Sequence, residues 1–285
     1  MPSGKRAKQQ RRAAAVRTAP PVRSKGAGAG RRPRQASPRT LAIAGVVVAV
    51  AVVAIVLGVV LGSGGGSSSS GDPTKGLPKT GNATSPIALQ GAPDANALFK
   101  GIPQTGLVLG KPAAPVEMEM FIDVQCPVCQ NYEVNYLPTV VQKYLRTGKV
   151  QLHVQPWAFL GPQSFSGRLG VIAASFQNKG FEYGKVLYDN QGQEESGWLT
   201  SQEMASIAAS VTGLKLNEWW ADVNSSAAKS IANNVDKLAK QANVQGTPTV
   251  LIGPTGGQLH DIVAAGTAPT LQDTERALDA ALANT

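Results

Sequence analysis

Only two cysteines, Cys126 and Cys129, occur in the 285 residues. No disulfide network is available, so any redox chemistry is confined to this one pair. Histidine is as scarce. His153 and His260 are the whole complement, and they lie 107 residues apart without paired-ligand spacing. A zinc site completed by the cysteines would need both, which makes metal the weaker alternative. Acid is missing from residues 1–40, which hold twelve Lys and Arg. Beyond residue 40, fifteen basic side chains meet all eighteen acidic ones, so the remainder is mildly acidic. The positive charge belongs to the tail, and the rest shows no basic stripe for nucleic acid. No nucleic-acid partner is expected.

The chain then divides by composition. Residues 1–40, rich in Arg, Lys, Ala, Pro and Gly, cannot bury a core and read as a disordered tail. Leu41 to Leu61 is an uncharged apolar run of 21 residues. As a helix it spans about 30 Å, the thickness of a bilayer core, so 41–62 is expected to be a transmembrane anchor. It is longer than the apolar region of a cleaved signal, about 7–15 residues. The basic flank keeps the tail cytoplasmic, which makes the protein a single-pass chain in the cell membrane. Everything beyond the anchor then lies outside the cytoplasm, where disulfides persist. Residues 63–94 begin with Gly and Ser and read as a flexible linker. Within them, Leu77-Pro78-Lys79-Thr80-Gly81 resembles a cell-wall sorting motif, but no apolar segment and basic tail follow, and the match reads as coincidence.

A globular domain is expected over 95–285. Glu117 to Val124 alternates and then turns apolar, a strand. Leu137, Val140, Val141, Tyr144 and Leu145 recur at helical spacing after the cysteines, with Pro138 set to kink the helix and Gly148 to stop it. Val150 to Trp157 alternates again, a second strand parallel to the first in a βαβ unit. Periodic stretches at 164–188, 201–212 and 227–242 read as helices, which is too much helix for a plain crossover. A helical subdomain is therefore expected to be inserted at about 160–244. Thr249 to Ile252 reads as a strand, Gly253 to Gly257 as a turn and Leu259 to Val263 as a returning strand. Thr270 is placed to cap a last helix carrying Leu271, Leu278 and Leu282 on one face.

The chemistry sits at the strand-to-helix junction, Phe121-Ile122-Asp123-Val124-Gln125-Cys126-Pro127-Val128-Cys129. A C-x-x-C at such a junction is a redox signature. The free N–H groups of the helix start point at the first sulfur and stabilise its thiolate, the attacking species. Cys126 is thus the expected nucleophile and the more exposed sulfur, and Cys129 the deeper, resolving one. Pro127 is tolerated in a first turn that has no hydrogen bond to lose. A purely structural disulfide is the competing reading, but so short a loop is a poor staple. Gly246-Thr247-Pro248-Thr249-Val250 is the second constellation, a proline opening an apolar strand, which suggests a cis Thr247–Pro248 bond.

These motifs, with Leu137-Pro138, Thr147 to Val150, Ala173-Ala174 and Val244 to Thr249, resemble the DsbA-like thiol:disulfide oxidoreductases of the thioredoxin superfamily, in their membrane-tethered bacterial branch. The resemblance covers about 95–285. It implies an α/β thioredoxin-like fold with an inserted helical lobe, Cys126 and Cys129 as the catalytic pair, and Pro248 as a cis proline packed against them. It implies that a substrate backbone pairs beside Thr247 and Pro248. Pro127 and Val128, between the sulfurs, would tune the potential. Strongly oxidising members have His where this chain has Val128, which implies a milder oxidant. The family's glutamate six residues before the first cysteine falls on Met120, with Glu119 adjacent.

The sequence is thus read as an extracytoplasmic oxidoreductase that passes a disulfide to exported proteins. No cofactor is expected beyond the Cys126–Cys129 disulfide. A quinone-linked membrane oxidase of the vitamin K epoxide reductase or DsbB type would reoxidise it. The alternatives are a reductase or isomerase, or a non-redox binding or chaperone module tethered to the membrane.

Overall fold

The structure, a computed structural model, describes residues 72–285. The basic tail, the expected anchor at 41–62 and the first part of the linker lie outside the described residues. Among the described residues no helix is long and apolar enough to cross a membrane.

The centre is a six-stranded sheet in the order β1-β2-β4-β3-β5-β6. Its strands are β1 (Gln104–Thr105), β2 (Val108–Leu109), β3 (Val116–Ile122), β4 (Val150–Pro156), β5 (Thr249–Pro254) and β6 (His260–Asp261). β3 and β4 run parallel, with Met120 opposite Val154, as the βαβ reading expects. β5 pairs antiparallel on the other side of β3, with Phe121 opposite Thr249. β6 is shorter than the returning strand expected at 259–263, pairing only His260 and Asp261 with β5.

Side chains on a strand alternate between faces. Met118, Met120 and Ile122 join the main core, which also contains Cys126, Cys129 and Tyr132. Phe121, on the other face, packs with Ala239 and Leu251 in a separate cluster. The cysteine-bearing helix begins as α2 (Pro127–Asn131), widens into a π-helical turn (Tyr132–Tyr136), resumes as α3 (Leu137–Val140) and widens again (Val141–Leu145). Pro138 lies where the second α-helical segment starts, since it has no N–H to give the preceding turn. Gly148 ends the run with φ 77, a left-handed conformation that glycine adopts without strain.

The inserted lobe holds α4 (Pro162–Ser175), α5 (Gly180–Asp189), α6 (Ser201–Ala209), α7 (Leu216–Val223) and α8 (Ser226–Gln241). The single stretch expected at 164–188 is two helices, separated at Asn178, which takes φ 55. On α8, Ala228, Ala232, Val235 and Ala239 form the buried stripe. Trp219 of α7 is fully buried and its indole N–H donates to the Gly170 carbonyl at 3.0 Å. The last helix, α9 (Leu271–Ala283), is fixed by a reciprocal cap. Thr270 Oγ1 accepts from the Asp273 N–H at 3.2 Å, and the Asp273 carboxylate accepts from the Thr270 N–H at 3.1 Å. Such a cap is worth about 1 kcal/mol. α9 reaches the cysteine-bearing helix through Tyr132 and Thr274, whose hydroxyls are 2.8 Å apart.

One expectation needs correcting. The flexible linker was expected to run to residue 94, yet from Lys79 onward it is held by the lobe. The Gly81 N–H donates to Leu214 O at 2.8 Å, Leu216 N–H to Lys79 O at 2.9 Å, and Asn82 N–H to Ala209 O at 2.9 Å. A Cβ at Gly81 would run into the carbonyls of Val211 and Ala208, so only glycine permits this approach. Residues 92–99 form α1 (Ala92–Phe99), whose Phe99 ring lies 5.8 Å from that of Phe181. Gly, Ser and Pro content suggests a loose chain, but the backbone here finds partners on the α6–α7 connection.

Candidate active site

β3 delivers its chain end into a buried polar clamp. Asp123 is fully buried. One carboxylate oxygen accepts from the Gln125 N–H at 2.8 Å and the Ser164 hydroxyl at 2.6 Å. The other accepts from the N–H groups of Phe159 at 2.6 Å and Leu160 at 2.8 Å. Gln125 extends the clamp. Its amide donates to Leu160 O at 2.9 Å and to Ser164 Oγ at 3.0 Å, and its oxygen accepts from the Glu195 N–H at 3.2 Å. The junction is therefore tied both to the loop after β4 and to the loop after α5.

Cys126 follows in extended conformation as the N-cap residue, with Pro127 at the first helical position. Its thiol donates to the Thr247 carbonyl at 3.3 Å, so the two constellations separated by 121 residues meet at this sulfur. The Thr247–Pro248 peptide bond is cis. Both cysteines are free thiols. Cys126 retains 6% exposure and Cys129 none, whereas Val128 between them is 42% exposed. The outward face of the motif is thus apolar. Phe159, held against Asp123 by its N–H, is also exposed and its ring lies 5.1 Å from that of Trp157.

The two sulfurs differ sharply in acidity. The Cys129 thiol hydrogen bond is the main influence that lowers Cys126 to about 6, against the opposing effect of burial; the Thr247 side chain and the N–H groups of Cys129 and Val128 assist. Burial drives Cys129 well above the ordinary thiol range, and the neighbouring Cys126 sulfur pushes it the same way. Near neutral pH the arrangement favours the thiolate at Cys126 and the thiol at Cys129.

No acid stands at the family's upstream position, and the glutamate beside it faces away. Met120 is fully buried on the cysteine face. Glu119 points to the other face, where its carboxylate accepts from the Gln155 amide at 2.9 Å. Burial raises it to about 7, with the Gln155 bond opposing and the Glu117 charge adding to the rise. His153 lies on that face too, with Nδ1 at 3.5 Å from Glu117. His260 is on the edge strand β6. Among the described residues no three His, Cys, Asp or Glu side chains gather as a metal-binding group.

Several residues that motif reading did not single out surround the pair. Tyr188 of α5 is buried, and its hydroxyl donates to Asp123 O at 2.9 Å. The Gln191 amide donates to Val124 O at 2.9 Å and to Cys126 O at 3.4 Å. Glu133, four residues beyond Cys129, is a buried carboxyl on the cysteine-bearing helix. Its spacing from Cys129 was available in the sequence, but its burial was not. Together these groups supply a nucleophilic sulfur, a second sulfur that hydrogen-bonds to it, and an apolar rim.

A thioredoxin family model matches residues 103–263, more than half of the chain. Among curated proteins, the chain is 29% identical over 147 residues to the probable disulfide bond formation protein D of Bacillus cereus, covering 50% of this chain and 68% of that one. It is 25% identical over 150 residues to disulfide bond formation protein D of Bacillus subtilis, covering 51% and 66%. Among solved structures it is similar to oxidised BdbD from Bacillus subtilis, with a TM-score of 0.55 and 20% identity over 64% of this chain and 97% of that one. It is also similar to DsbA of Chlamydia trachomatis, with a TM-score of 0.52 and 18% identity over 61% and 90%.

Proposed function

Because the chain belongs to the thioredoxin family, as a DsbA-like thiol:disulfide oxidoreductase, we propose that Cys126 and Cys129 form a disulfide donated to exported proteins outside the cytoplasm. A substrate thiolate attacks Cys126 and forms a mixed disulfide, and a second substrate thiolate then displaces Cys126. The substrate leaves with a new disulfide and the pair is left as two thiols. A quinone-linked membrane oxidase of the vitamin K epoxide reductase or DsbB type takes up the two electrons. The apolar run at 41–62 anchors the chain in the membrane with the catalytic domain outside, and the backbone at Thr247 and Pro248 pairs with the substrate.

The oxidant reading is supported by the lowered pKa of Cys126, about 6, beside a thiol that donates to it. A stabilised thiolate favours the reduced form of the pair, and a pair more stable when reduced is a stronger oxidant. Val128 supports the rival reading of a reductase or isomerase, since an exposed apolar side chain gives the sulfur no hydrogen bond. The test is the equilibrium of the pair with glutathione. The oxidant reading expects a potential clearly above the thioredoxin value of about −270 mV and toward the −120 mV of the strongest oxidants. Cys126→Ser, expected to abolish exchange, separates both redox readings from a binding or chaperone module, which would survive it.

A further inference from the structure

The family match begins at residue 103, so the docked segment at 79–91 and α1 precede it. Their junction is pressed against α5. Gly91, the N-cap of α1, takes φ 74, and a Cβ there would run into the Asp189 carboxylate. The Gln90 carbonyl accepts from the Asn190 amide at 2.9 Å. Between this junction, α5 and the cysteine-bearing helix lies an open groove of about 480 Å³. Gln90 and Asp94 line its first side, and Gln130, Asn131 and Asn135 of the cysteine-bearing helix the second. The ion pair of Lys185 and Asp189 closes the α5 side.

The groove is polar and rich in amides. Gln130 Nε2 donates to Tyr188 O at 3.0 Å, and Asn135 Nδ2 donates to Asn131 Oδ1 at 2.9 Å. The oxygens of Gln130 and Asn135 and the nitrogen of Asn131 are left for a ligand. Amide donors and acceptors side by side suit an extended peptide backbone, which carries both. Lys185 and Asp189 neutralise each other. Asp94 is exposed and stands in no ion pair among the described residues, so it is the charge that a ligand meets.

The groove also starts close to the reactive sulfur. Gln130 is four residues beyond Cys126, and side chains so spaced on a helix are neighbours, about 5–6 Å apart at Cβ. Asn135 is nine residues beyond Cys126, about 13 Å along the helix axis. An extended peptide covers that length in about four residues. The Thr247 carbonyl takes another side of the same sulfur, so the groove adds contacts that the cis-proline loop does not make.

We propose that this groove is a second binding site for the exported substrate, taking an extended polar segment with a lysine or arginine about two to four residues from the cysteine that joins Cys126. The amides of Gln130, Asn131 and Asn135 pair with the segment's backbone, and Asp94 selects its cation. The assignment rests on the oxidoreductase reading above and gives it a substrate preference.

The experiment follows reduction of the oxidised full-length chain by single-cysteine peptides that carry one lysine or one glutamate, stepped outward from the cysteine. Rates are divided by each peptide's thiolate fraction. Lysine should be favoured over glutamate by roughly threefold to fivefold at about two to four positions from the cysteine, the size of an exposed ion pair, and by nothing further out. Asp94→Lys should abolish or reverse that preference and leave the Cys126 thiolate titration at about 6. Glu218→Lys, the same change of charge on α7 outside the groove, should keep the preference. Asn135→Lys, on the facing wall, should weaken it and carries the test should Asp94→Lys fail to fold. Equal rates for lysine and glutamate peptides, a preference of one size at every position, its survival in Asp94→Lys, or its loss in Glu218→Lys would each overturn the assignment. Cys126→Ser judges the oxidoreductase reading separately: exchange that persists there sinks that reading, whereas equal rates for the two peptide series sink only the groove.

Discussion

Two carboxyls with raised pKa values sit on opposite sides of the central sheet, half-buried Glu119 and fully enclosed Glu133, in different surroundings. On the far face, Glu119 accepts from Gln155 beside the cluster of Phe121, Ala239 and Leu251. On the cysteine face, Glu133 has Lys185, Asp189 and a small cavity around it. Glu119 and Glu133 each lie seven residues from Cys126; Glu119 is on the strand that leads into the motif, where the period of two along β3 turns it away. Glu133 comes after the motif, four residues beyond Cys129 on the same helix, and is buried. Equal separation in sequence from a reactive residue therefore leads to different faces, and the periodicity of the element between them decides which.

The largest effect that sharpens this contrast is on stability. Phe121→Ala should remove the anchor of the far-face cluster and cost about 3–5 kcal/mol in denaturant unfolding. It should leave the Cys126 thiolate titration at about 6, and a displaced midpoint would mean that the two faces are not separable. Asp123→Ala comes next. It strips three backbone N–H groups and the Ser164 hydroxyl of their buried acceptor. A loss of about 2–4 kcal/mol is expected, together with a moved Cys126 midpoint, because the clamp sets the start of the helix.

A smaller effect is a pH dependence measured on the oxidised chain, where neither cysteine titrates. Both glutamates bind their protons more tightly folded than unfolded, so each stabilises the fold below about pH 4.5 and loses that contribution as pH rises. The loss runs to about 7 for Glu119 and to about 8 for Glu133. Urea midpoints should fall across this window. Glu119→Gln should flatten the lower part of the fall and Glu133→Gln its upper end. A reduced chain adds the opposite trend from Cys126, whose lowered value contributes stability as pH rises above 6. The smallest expected effect is on exchange itself in Glu119→Gln, whose glutathione reduction rate should stay within about twofold of wild type. A tenfold loss there would couple the far face to the exchange.

Much of this architecture was legible. β3 and β4 carry the alternation that their pairing uses, Thr270 caps the last helix, and Pro138 marks the discontinuity in the cysteine-bearing helix. The meeting of Thr247 with Cys126 was suggested by a family resemblance, since no local pattern links residues 121 positions apart. Other features were not legible, for physical reasons. β1 and β2 have two residues each, too few to show a period. The π-helical turns, which bury Tyr132 and Tyr144, leave no mark in a 3.6-residue periodicity. Residues 79–91 look like a flexible linker because their order comes from hydrogen bonds to the lobe rather than from an apolar pattern. Glu133 reads as an ordinary surface acid on a helix until α5 is laid over it.

The central claim is that the Cys126–Cys129 pair is poised to give its disulfide away. Its most direct test is the reduction potential of the pair, measured at pH 7 against glutathione. The account predicts a value well above about −270 mV, on the oxidising side of thioredoxin. A value at or below that figure would contradict it, and would make the stabilised thiolate the property of a reductase.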